Sequence, residues 1–335
     1  MGSIRIATIV TQPGQGGIEV VSKLNYDSDI VYLNSSGQQG FRSTQYGILT
    51  RILTVASVLR KYDVVVTNLP IHHMLVSLLG YIFSFKHICV EHGPWVHAIS
   101  LKSPIYISFV YQYWLSKSKC KFICVSKDLL ALYNLLRTNN VYIPNCISPE
   151  VREGVGKKLY RDQTVRLVFV GRFDLQKNAS LAISVVDNLR NSGVNATLDM
   201  YGDGSLLDSL KEKHGYKDHL TFLGYQKNVR ERLECYDILL LTSLFEGLPG
   251  VALEALKSGL KVVASPFMTG LLELNSFPEV FIANGCDSNS LVNALNMAID
   301  CNLESSGTIS KVTDIYDPLT VSRQYNNVIY KVGDL

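Results

Sequence analysis

Two glutamates bracket a glycine- and proline-rich turn in the second half of the chain. The segment reads Thr242-Ser-Leu-Phe-Glu-Gly-Leu-Pro-Gly-Val-Ala-Leu-Glu254, and an apolar run typical of a buried strand precedes it. Glu246 lies on the turn, and Glu254 lies in the first turns of a helix predicted to open near Val251. Carboxylates in these places can accept hydrogen bonds from hydroxyl groups, including a vicinal diol such as a ribose. A pair with this spacing is common on solvated surfaces, so the turn between the glutamates carries the signal.

The backbone of that turn offers a second kind of ligand group. The amides of Gly247, Leu248 and Gly250 lie close to the predicted helix N-terminus. Unpaired N–H donors and the helix dipole favour negatively charged or hydroxyl oxygens there. The sequence therefore predicts an oxygen-rich ligand at this turn.

A basic pair occupies the first strand–helix turn of the second half, in Val170-Gly-Arg-Phe-Asp-Leu-Gln-Lys177. The Arg172 guanidinium can bind two oxygens of a phosphate side by side, and Lys177 adds a compact positive charge. Together they could hold a diphosphate without a metal ion. An ordinary surface loop is an equally simple interpretation of the pair taken alone.

Three other turns follow predicted strands. Gly16 and Gly17 lie in a loop whose backbone could approach a ligand closely, but their spacing differs from Gly-x-Gly-x-x-Gly. No suitable acidic residue follows them, so a dinucleotide-dependent dehydrogenase is disfavoured. His92 follows a strand of the first half, where a packed or surface histidine is as ordinary as a ligand. Gly204 lies in a turn of the second half.

The elements that must position these turns alternate between short β-rich segments and longer helical patterns, which is typical of parallel α/β sheets. The strands predicted in the first half are Arg5–Val10, Ile30–Leu33, Val64–Asn68, His87–Glu91, Phe122–Val125 and Val141–Ile143. The helices predicted there include Tyr46–Arg60, Met74–Phe85, Tyr106–Ser116 and Lys127–Leu136. The second half repeats the alternation from Arg166 to Ser265, and a helix there ends at Gly259.

The polar stretch Ser148–Gln163 predicts a linker. We expect a first Rossmann-like domain over residues 1–160, a second over 161–318, and a C-terminal helix over 319–335 that could dock on either domain. Two parallel sheets in tandem would place a cleft between the carboxyl ends of their strands.

Composition limits the class of protein. With 47% hydrophobic and 18% charged residues, the chain can bury a large core and is not globally disordered. Its seven scattered cysteines include no Cys-x-x-Cys pair, so reduced thiols in a cytosolic protein are expected and a metal site is not. The longest apolar run, Met74–Phe85, is too short to span a bilayer. We expect a cytoplasmic protein, soluble or at most peripheral.

Charge is unevenly distributed. The first 160 residues carry twice as many basic as acidic residues, whereas the rest of the chain carries an acidic excess. Aromatic residues and lysines crowd the segment Lys102–Phe122, as in a helix at a membrane interface or in a core helix with a solvated lysine end. No nucleic-acid-binding motif accompanies the basic residues, so that class of partner is not expected.

Taken in order, these motifs resemble family 4 of the retaining glycosyltransferases, whose two-domain fold is called GT-B. The resemblance covers nearly the whole chain, and the matching positions are Gly16-Gly17, His92, Val125-Ser126, Pro144-Asn145, Gly171-Arg172 with Lys177, Gly202-Asp-Gly204, and Glu246 with Glu254. Cys146 stands where the family usually has glycine. The first domain matches only in its short turns, as expected of the half that meets variable acceptors.

The resemblance implies a role for each position. Arg172 and Lys177 would hold the diphosphate of a donor, and Glu254 would hold its ribose. Glu246 and the amides of Gly247–Gly250 would hold the sugar, while His92 would contact the transferred sugar or the acceptor. The glycine turns at Gly16, Gly17 and Gly204 would border the substrates. No cofactor and no metal ion is implied, because the nucleotide-sugar is a co-substrate.

The implied activity is transfer of a hexose or N-acetylhexosamine, with retention of configuration, from a nucleotide-sugar to a saccharide acceptor. A UDP-sugar is the first expectation for the donor and GDP-mannose the next. The basic first half fits a lipid-linked oligosaccharide at the inner face of the plasma membrane, in surface polysaccharide or lipopolysaccharide biosynthesis. The alternatives are a nucleotide-sugar hydrolase or epimerase of the same fold, and a non-catalytic sugar-nucleotide-binding scaffold.

Overall fold

Alternating strands and helices build two separate α/β units in the computed structural model. The structure describes residues 4–10, 28–32, 56–80, 82–94, 105–118, 120–154, 163–267, 269–301 and 306–333. One unit comprises Met1–Cys146 together with Pro318–Leu335, and the other comprises Ile147–Asp317.

The first unit is built on a six-stranded parallel sheet with the strand order β2-β1-β3-β4-β5-β6. Its strands are β1 (Ile6–Val10), β2 (Asp29–Tyr32), β3 (Val64–Thr67), β4 (Lys86–Glu91), β5 (Lys121–Cys124) and β6 (Asn140–Tyr142). Its helices up to the unit boundary include α1 (Pro70–Gly80), α2 (Ile105–Lys117) and α3 (Lys127–Asn134), and residues 56–59 are also helical. The central strand β3 is buried along its whole length, as expected for a parallel sheet covered on both faces.

The second unit repeats the design with the strand order β12-β11-β10-β7-β8-β9. Its strands are β7 (Val165–Val170), β8 (Ala196–Tyr201), β9 (Leu220–Gly224), β10 (Ile238–Leu241), β11 (Lys261–Ala264) and β12 (Val280–Ile282). Its helices are α4 (Ala179–Asn191), α5 (Leu207–His214), α6 (Val229–Arg232), α7 (Gly250–Lys257), α8 (Leu271–Leu274), α9 (Ser288–Asp300) and α10 (Ser306–Tyr316), with a 3₁₀ turn at Leu233–Cys235. Each sheet has its own apolar core, so each unit can hold its strand-end turns in place.

The last helix, α11 (Pro318–Gly333), belongs to the first unit, where it contacts β3 and β4. The chain therefore leaves the first unit after Cys146 and returns to it at Pro318. The division falls before the polar stretch predicted as a linker, and the described residues 147–154 group with the second unit.

The prediction of two parallel α/β sheets is confirmed, and the predicted strands match the observed ones to within about a residue. Gly259 has a positive φ of 77°, which supports its predicted place after the end of α7. The boundaries predicted for the helix Met74–Phe85 are wrong, because α1 begins at Pro70 and ends at Gly80. Proline at the first position of a helix has no N–H to leave unpaired, so it favours this earlier start.

Candidate functional site

The turn that carries Glu246 joins β10 to α7 and is held from both sides. The Ser265 hydroxyl donates to the carbonyl oxygen of Ser243 at 2.8 Å, and the Thr269 hydroxyl donates to the carbonyl oxygen of Glu246. Gly270 has a φ of 85°, and a Cβ atom there would lie 2.1 Å from the carbonyl oxygen of Gly247. Only glycine fits so close to that backbone. The turn is therefore fixed by the residues that follow β11 as well as by its own sequence.

Lys177 and Glu246 form an ion pair at the centre of the candidate site. The Lys177 Nζ lies 2.5 Å from Glu246 Oε1, and the Ser243 hydroxyl donates to the same oxygen at 2.6 Å. The side chains are 19% and 9% exposed. The structure thus joins two residues that the sequence assigned to different parts of a ligand, and it leaves both within reach of solvent.

Arg172 reaches the same turn through a glutamine. Its guanidinium contacts Asp174 at 3.0 Å and donates to Gln176 Oε1 at 2.9 Å, while its side chain remains 66% exposed. The Gln176 amide in turn donates to the carbonyl oxygen of Phe245 at 3.1 Å. Sequence analysis did not single out Gln176. Its position next to Lys177 is the only feature of the sequence that could have indicated its role.

Two helices, α4 and α7, begin at this site. Within the described part of the chain, no side chain caps α4 at Asn178 or α7 at Pro249. Asn178 has a φ of 50°, and the Thr242 hydroxyl donates to its carbonyl oxygen at 3.0 Å. Uncapped helix starts present amide donors and the positive end of the helix dipole. This arrangement suits a ligand with negatively charged oxygens.

Glu254 lies in α7 and pairs with a residue that sequence analysis did not single out. Its Oε1 accepts a hydrogen bond from Arg230 Nε at 2.8 Å, and Arg230 also lies 3.7 Å from Glu150. Burial raises the pKa of the Glu254 carboxyl, and the Arg230 charge opposes that shift. Arg230 is 24 residues away along the chain. No local spacing could have indicated this contact.

The turn after β8 packs against the turn that carries Arg172. Gly202 and Gly204 have φ values of 137° and 155°. A Cβ atom on Gly202 would lie 1.9 Å from the carbonyl oxygen of Gly171, and one on Gly204 would lie 2.6 Å from that of Phe173. These glycines let the two turns pack backbone against backbone. The described contacts of Gly204 are thus with the turn that carries Arg172.

His92 belongs to the first unit, where it follows β4. Its Nε2 lies 3.0 Å from Oδ1 of Asn68, a residue that follows β3, so the imidazole donates and the amide oxygen accepts. Burial lowers the pKa of His92 to about 4, and the nearby Glu91 charge only partly opposes this. The imidazole is therefore neutral at pH 7. The predicted residues Gly16 and Gly17 lie outside the described residues.

Comparison with known proteins identifies the second unit. Residues 153–311 match the family model described as "Glycosyl transferases group 1". The second unit is a group 1 glycosyltransferase domain. The Bacillus subtilis protein EpsF is 28% identical over 147 residues, which cover 41% of this chain and only 38% of EpsF. The match therefore spans well under two thirds of that relative.

A longer match joins this chain to an Escherichia coli enzyme named UDP-Gal:alpha-D-GlcNAc-diphosphoundecaprenol alpha-1,3-galactosyltransferase. The two are 28% identical over 288 residues, covering 76% of this chain and 71% of that enzyme. The crystal structure of Anabaena Alr3699/HepE in complex with UDP and glucose matches with a TM-score of 0.78. It covers 98% of this chain and 100% of that one at 16% identity, so it shows the fold. The prediction of the GT-B fold is confirmed.

Among the helices of the described ranges, none is both long enough and apolar enough to cross a bilayer.

Proposed function

We propose that this glycosyltransferase moves a hexose or N-acetylhexosamine from a UDP-sugar to a saccharide acceptor in surface polysaccharide biosynthesis. The observation that carries the proposal is the Lys177–Glu246 ion pair, which lies beside two uncapped helix starts and the exposed Arg172 guanidinium. Cations and amide donors that converge beside a carboxylate fit a ligand with both phosphate and hydroxyl groups.

The ion pair gives the donor site a defined role for each charge. A bound diphosphate carries more negative charge than the Glu246 carboxylate. It would therefore attract the Lys177 ammonium and weaken the ion pair between Lys177 and Glu246. Glu246 would then accept hydrogen bonds from the sugar hydroxyls, while Ser243 keeps the carboxylate in place. The pair thus holds both side chains in position before the donor binds, which lowers the cost of ordering them.

Leaving-group stabilisation is the proposed source of catalysis. Negative charge builds on the departing diphosphate as the sugar becomes oxocarbenium-like, and Arg172 and Lys177 favour that separation. No metal ion is needed for this role. We propose retention of configuration, with the acceptor attacking from the face that the diphosphate leaves and a phosphate oxygen taking the acceptor proton.

Two further residues complete the proposal. Glu254 would accept the ribose hydroxyls, held in orientation by Arg230. His92 would contact the transferred sugar or the acceptor as a neutral imidazole, because its pKa is too low for it to be charged at pH 7. A neutral ring can donate and accept hydrogen bonds with hydroxyl groups.

The activity named for the Escherichia coli relative supports the choice of nucleotide and of acceptor. That name describes transfer from UDP-Gal to a sugar on diphosphoundecaprenol. We propose the same classes here, a UDP-sugar and a lipid-linked saccharide, with the protein at the cytoplasmic face of an anionic membrane. The basic first half of the chain favours such a surface.

A donor screen followed by product analysis tests the proposal. UDP-glucose, UDP-galactose, UDP-GlcNAc and GDP-mannose are compared by thermal shift, since a specific ligand at about 100 times its Kd adds about 2.7 kcal/mol of stability. Release of the nucleotide is then measured with and without a lipid-linked acceptor. Transfer predicts release that depends on the acceptor, whereas equal release in its absence would mean a hydrolase.

A matched pair of arginine variants locates the donor. Arg172→Ala is expected to lose the thermal shift with the best donor. Arg232→Ala, also on the surface of the second unit, is expected to keep it. If both variants keep the shift, the donor binds elsewhere.

A further inference from the structure

A cavity of about 610 Å³ opens in the first unit, away from the strand ends that carry Asn68 and His92. Its walls include Lys86 at the start of β4, Lys121 at the start of β5 and Val328 of α11. Asn68 and His92 instead follow the carboxyl ends of β3 and β4. Within this unit, the cavity and His92 therefore lie at opposite ends of the parallel strands.

A partly exposed thiol lines this cavity. Cys120 Sγ lies 3.2 Å from His87 Nδ1 and 3.1 Å from Ser77 Oγ, and both of these residues also line the cavity. The backbone N–H of Cys120 donates to the Ser118 hydroxyl at 3.3 Å. Cys120 is thus surrounded by hydrogen-bonding groups that can point a proton at its sulfur.

These contacts favour the thiolate form. Hydrogen bonds from Cys89 and then from His87 lower the pKa of Cys120 to about 3, although burial opposes the shift. Burial lowers the pKa of His87, so that ring is neutral. A neutral imidazole with its proton on Nδ1 still donates to the sulfur, and its Nε2 then accepts from the Thr67 hydroxyl at 2.7 Å. The thiolate therefore needs no charged histidine.

Positive charge surrounds the cavity mouth. Four lysines line it, namely Lys86, Lys117, Lys121 and Lys331. Burial and the neighbouring charges of Arg137 and Lys331 lower the pKa of Lys121, as expected where cations crowd together. Arg137 is buried and donates to the carbonyl oxygen of Cys120 at 2.5 Å. Its Nε and Nη1 have no hydrogen-bond partner among the described residues.

The neighbouring histidines and Cys89 do not favour a metal ion. The ligand atoms of His73, His87 and Cys89 lie within 4.8 Å of one another. The Thr67 hydroxyl, however, already lies 2.5 Å from His73 Nδ1 and 2.7 Å from His87 Nε2. Its oxygen thus contacts one nitrogen of each ring, and those two nitrogens are used in hydrogen bonds.

We propose that Cys120 is a modification site, at which the cavity receives a small carboxylate-bearing disulfide and the Cys120 sulfur exchanges with it. The thiolate attacks one sulfur of the disulfide and forms a new S–S bond. The original S–S bond breaks, and the second sulfur leaves as a thiolate that takes a proton from water. Cys120 is oxidised and the leaving thiol is reduced, so electrons balance. Lysines bind the carboxylates, while Trp114 and Phe85 cover the apolar part.

Such a modification is reversible, because a thiol of low pKa is a good leaving group in the reverse exchange. An excess of the reduced small thiol should therefore cleave the mixed disulfide and restore the free Cys120 thiol. The inference does not rest on the proposed transferase function, since its readout is the mass of the protein.

The first test compares thiols within one protein. The full chain is incubated with glutathione disulfide between pH 4.5 and 7, quenched in acid, and its adducts are mapped by peptide mass spectrometry. Cys235 and Cys286 are the internal controls, since both are exposed. An ordinary thiol slows about tenfold for each unit of pH below its pKa, whereas a thiolate does not. Cys120 should change less than about threefold over this range.

The second test uses the charge of the probe. Cystamine is a small disulfide with two ammonium groups, so the lysines should slow its reaction with Cys120 relative to glutathione disulfide. Lys117→Glu, at an exposed position, should shift this preference toward cystamine by about tenfold at low salt. Cys120→Ser should remove the adduct while leaving those of the control cysteines.

Either of two results would overturn the proposal. One is a Cys120 rate that falls with pH as steeply as those of Cys235 and Cys286. The other is a ratio of the two probe rates at Cys120 that Lys117→Glu leaves unchanged.

Discussion

The two units use their polar side chains in different ways. In the second unit, Arg172, Lys177 and Glu246 stand on turns beyond the strand ends. The exposed Arg172 pairs with Asp174, and the side chains of the Lys177–Glu246 pair are 19% and 9% exposed. In the first unit, the buried side chains of Thr67, His73, His87 and Cys89 and the partly exposed Cys120 bond to each other; these five residues are here called the histidine–cysteine network.

The difference separates two kinds of chemistry. A pair on a turn can exchange its partner for a ligand, because solvent and ligand both reach it. A ligand cannot easily replace hydrogen bonds that lie inside the fold. The burial of such a network instead shifts the pKa values of its titratable side chains. The proposed anionic donor would therefore meet the accessible turns of the second unit, whereas burial in the first unit shifts pKa values away from those found in water.

The largest effect on activity is expected from changes to the Lys177–Glu246 ion pair. Lys177→Ala and Glu246→Gln should each lower kcat/KM about 10²- to 10³-fold, since each removes a group aimed at the reacting donor. Transfer is measured with the donor selected by thermal shift. The control is Lys217→Ala, which removes another 2.5 Å ion pair of the same unit, that with Asp187. Activity near that of the unaltered protein in both site variants would disprove the site.

The next largest effect is expected from the ion pair between Arg230 and Glu254. Arg230→Ala should destabilise the second unit by about 3 kcal/mol, because it leaves the buried Glu254 carboxylate without its cation. Arg152→Ala, which breaks an exposed pair with Glu234, should cost less than about 1 kcal/mol. Urea unfolding measures both changes.

A double variant sharpens this prediction. Adding Glu254→Gln to Arg230→Ala removes the unpaired charge and should recover part of the lost stability. If the double variant is as unstable as the sum of the two single ones, the two residues are not coupled.

Acid should distinguish the two units. Burial lowers the pKa of His72 from 6.5 to about 4. Between these two pH values, His72 binds a proton in the unfolded state but not in the folded state. The stability that this group contributes is complete above pH 6.5 and is lost as the pH falls toward 4. The loss amounts to about 3 kcal/mol.

Urea unfolding at several pH values, followed by hydrogen exchange of peptides from each unit, measures this loss. His72→Gln should make the decline in the first unit less steep and leave that in the second unchanged. Part of the decline should remain, because burial also lowers the pKa values of His87 and His92. An equally steep decline in the variant would mean that other groups cause the acid sensitivity.

The smallest effect is expected from the backbone of the turn that carries Glu246. Gly270→Ala should cost about 2 kcal/mol, because its Cβ would meet the carbonyl oxygen of Gly247 at 2.1 Å. Gly193→Ala is the control, since Gly193 has a similar φ of 93° but open space around it. Its cost should be near 1 kcal/mol, that of the left-handed conformation alone. Thermal unfolding compares the two, and equal costs would show that the close approach is unimportant.

The positions of the strands as far as β11 and the residues of the Glu246 turn were accessible from the sequence. Most of these strands are short apolar runs, and the turns follow directly after them. The strand β12 and the order of the strands within each sheet were not predicted. The start of α1 at Pro70 and the partner of Glu254 were not accessible in this way. Arg230 meets Glu254 only because α6 and α7 pack in the same unit, and periodicity contains no information on that contact.

By itself, the sequence determined which residue types stand at the strand ends, because local patterning decides where strands stop and turns begin. It therefore indicated Arg172, Lys177, Glu246 and Glu254 as a set. The tertiary structure alone decided which of them touch. Lys177 meets Glu246 across 69 residues of chain because β7 and β10 are neighbours in the sheet. It also brought Cys120 beside His87, since β4 and β5 pair in a register that no local pattern specifies.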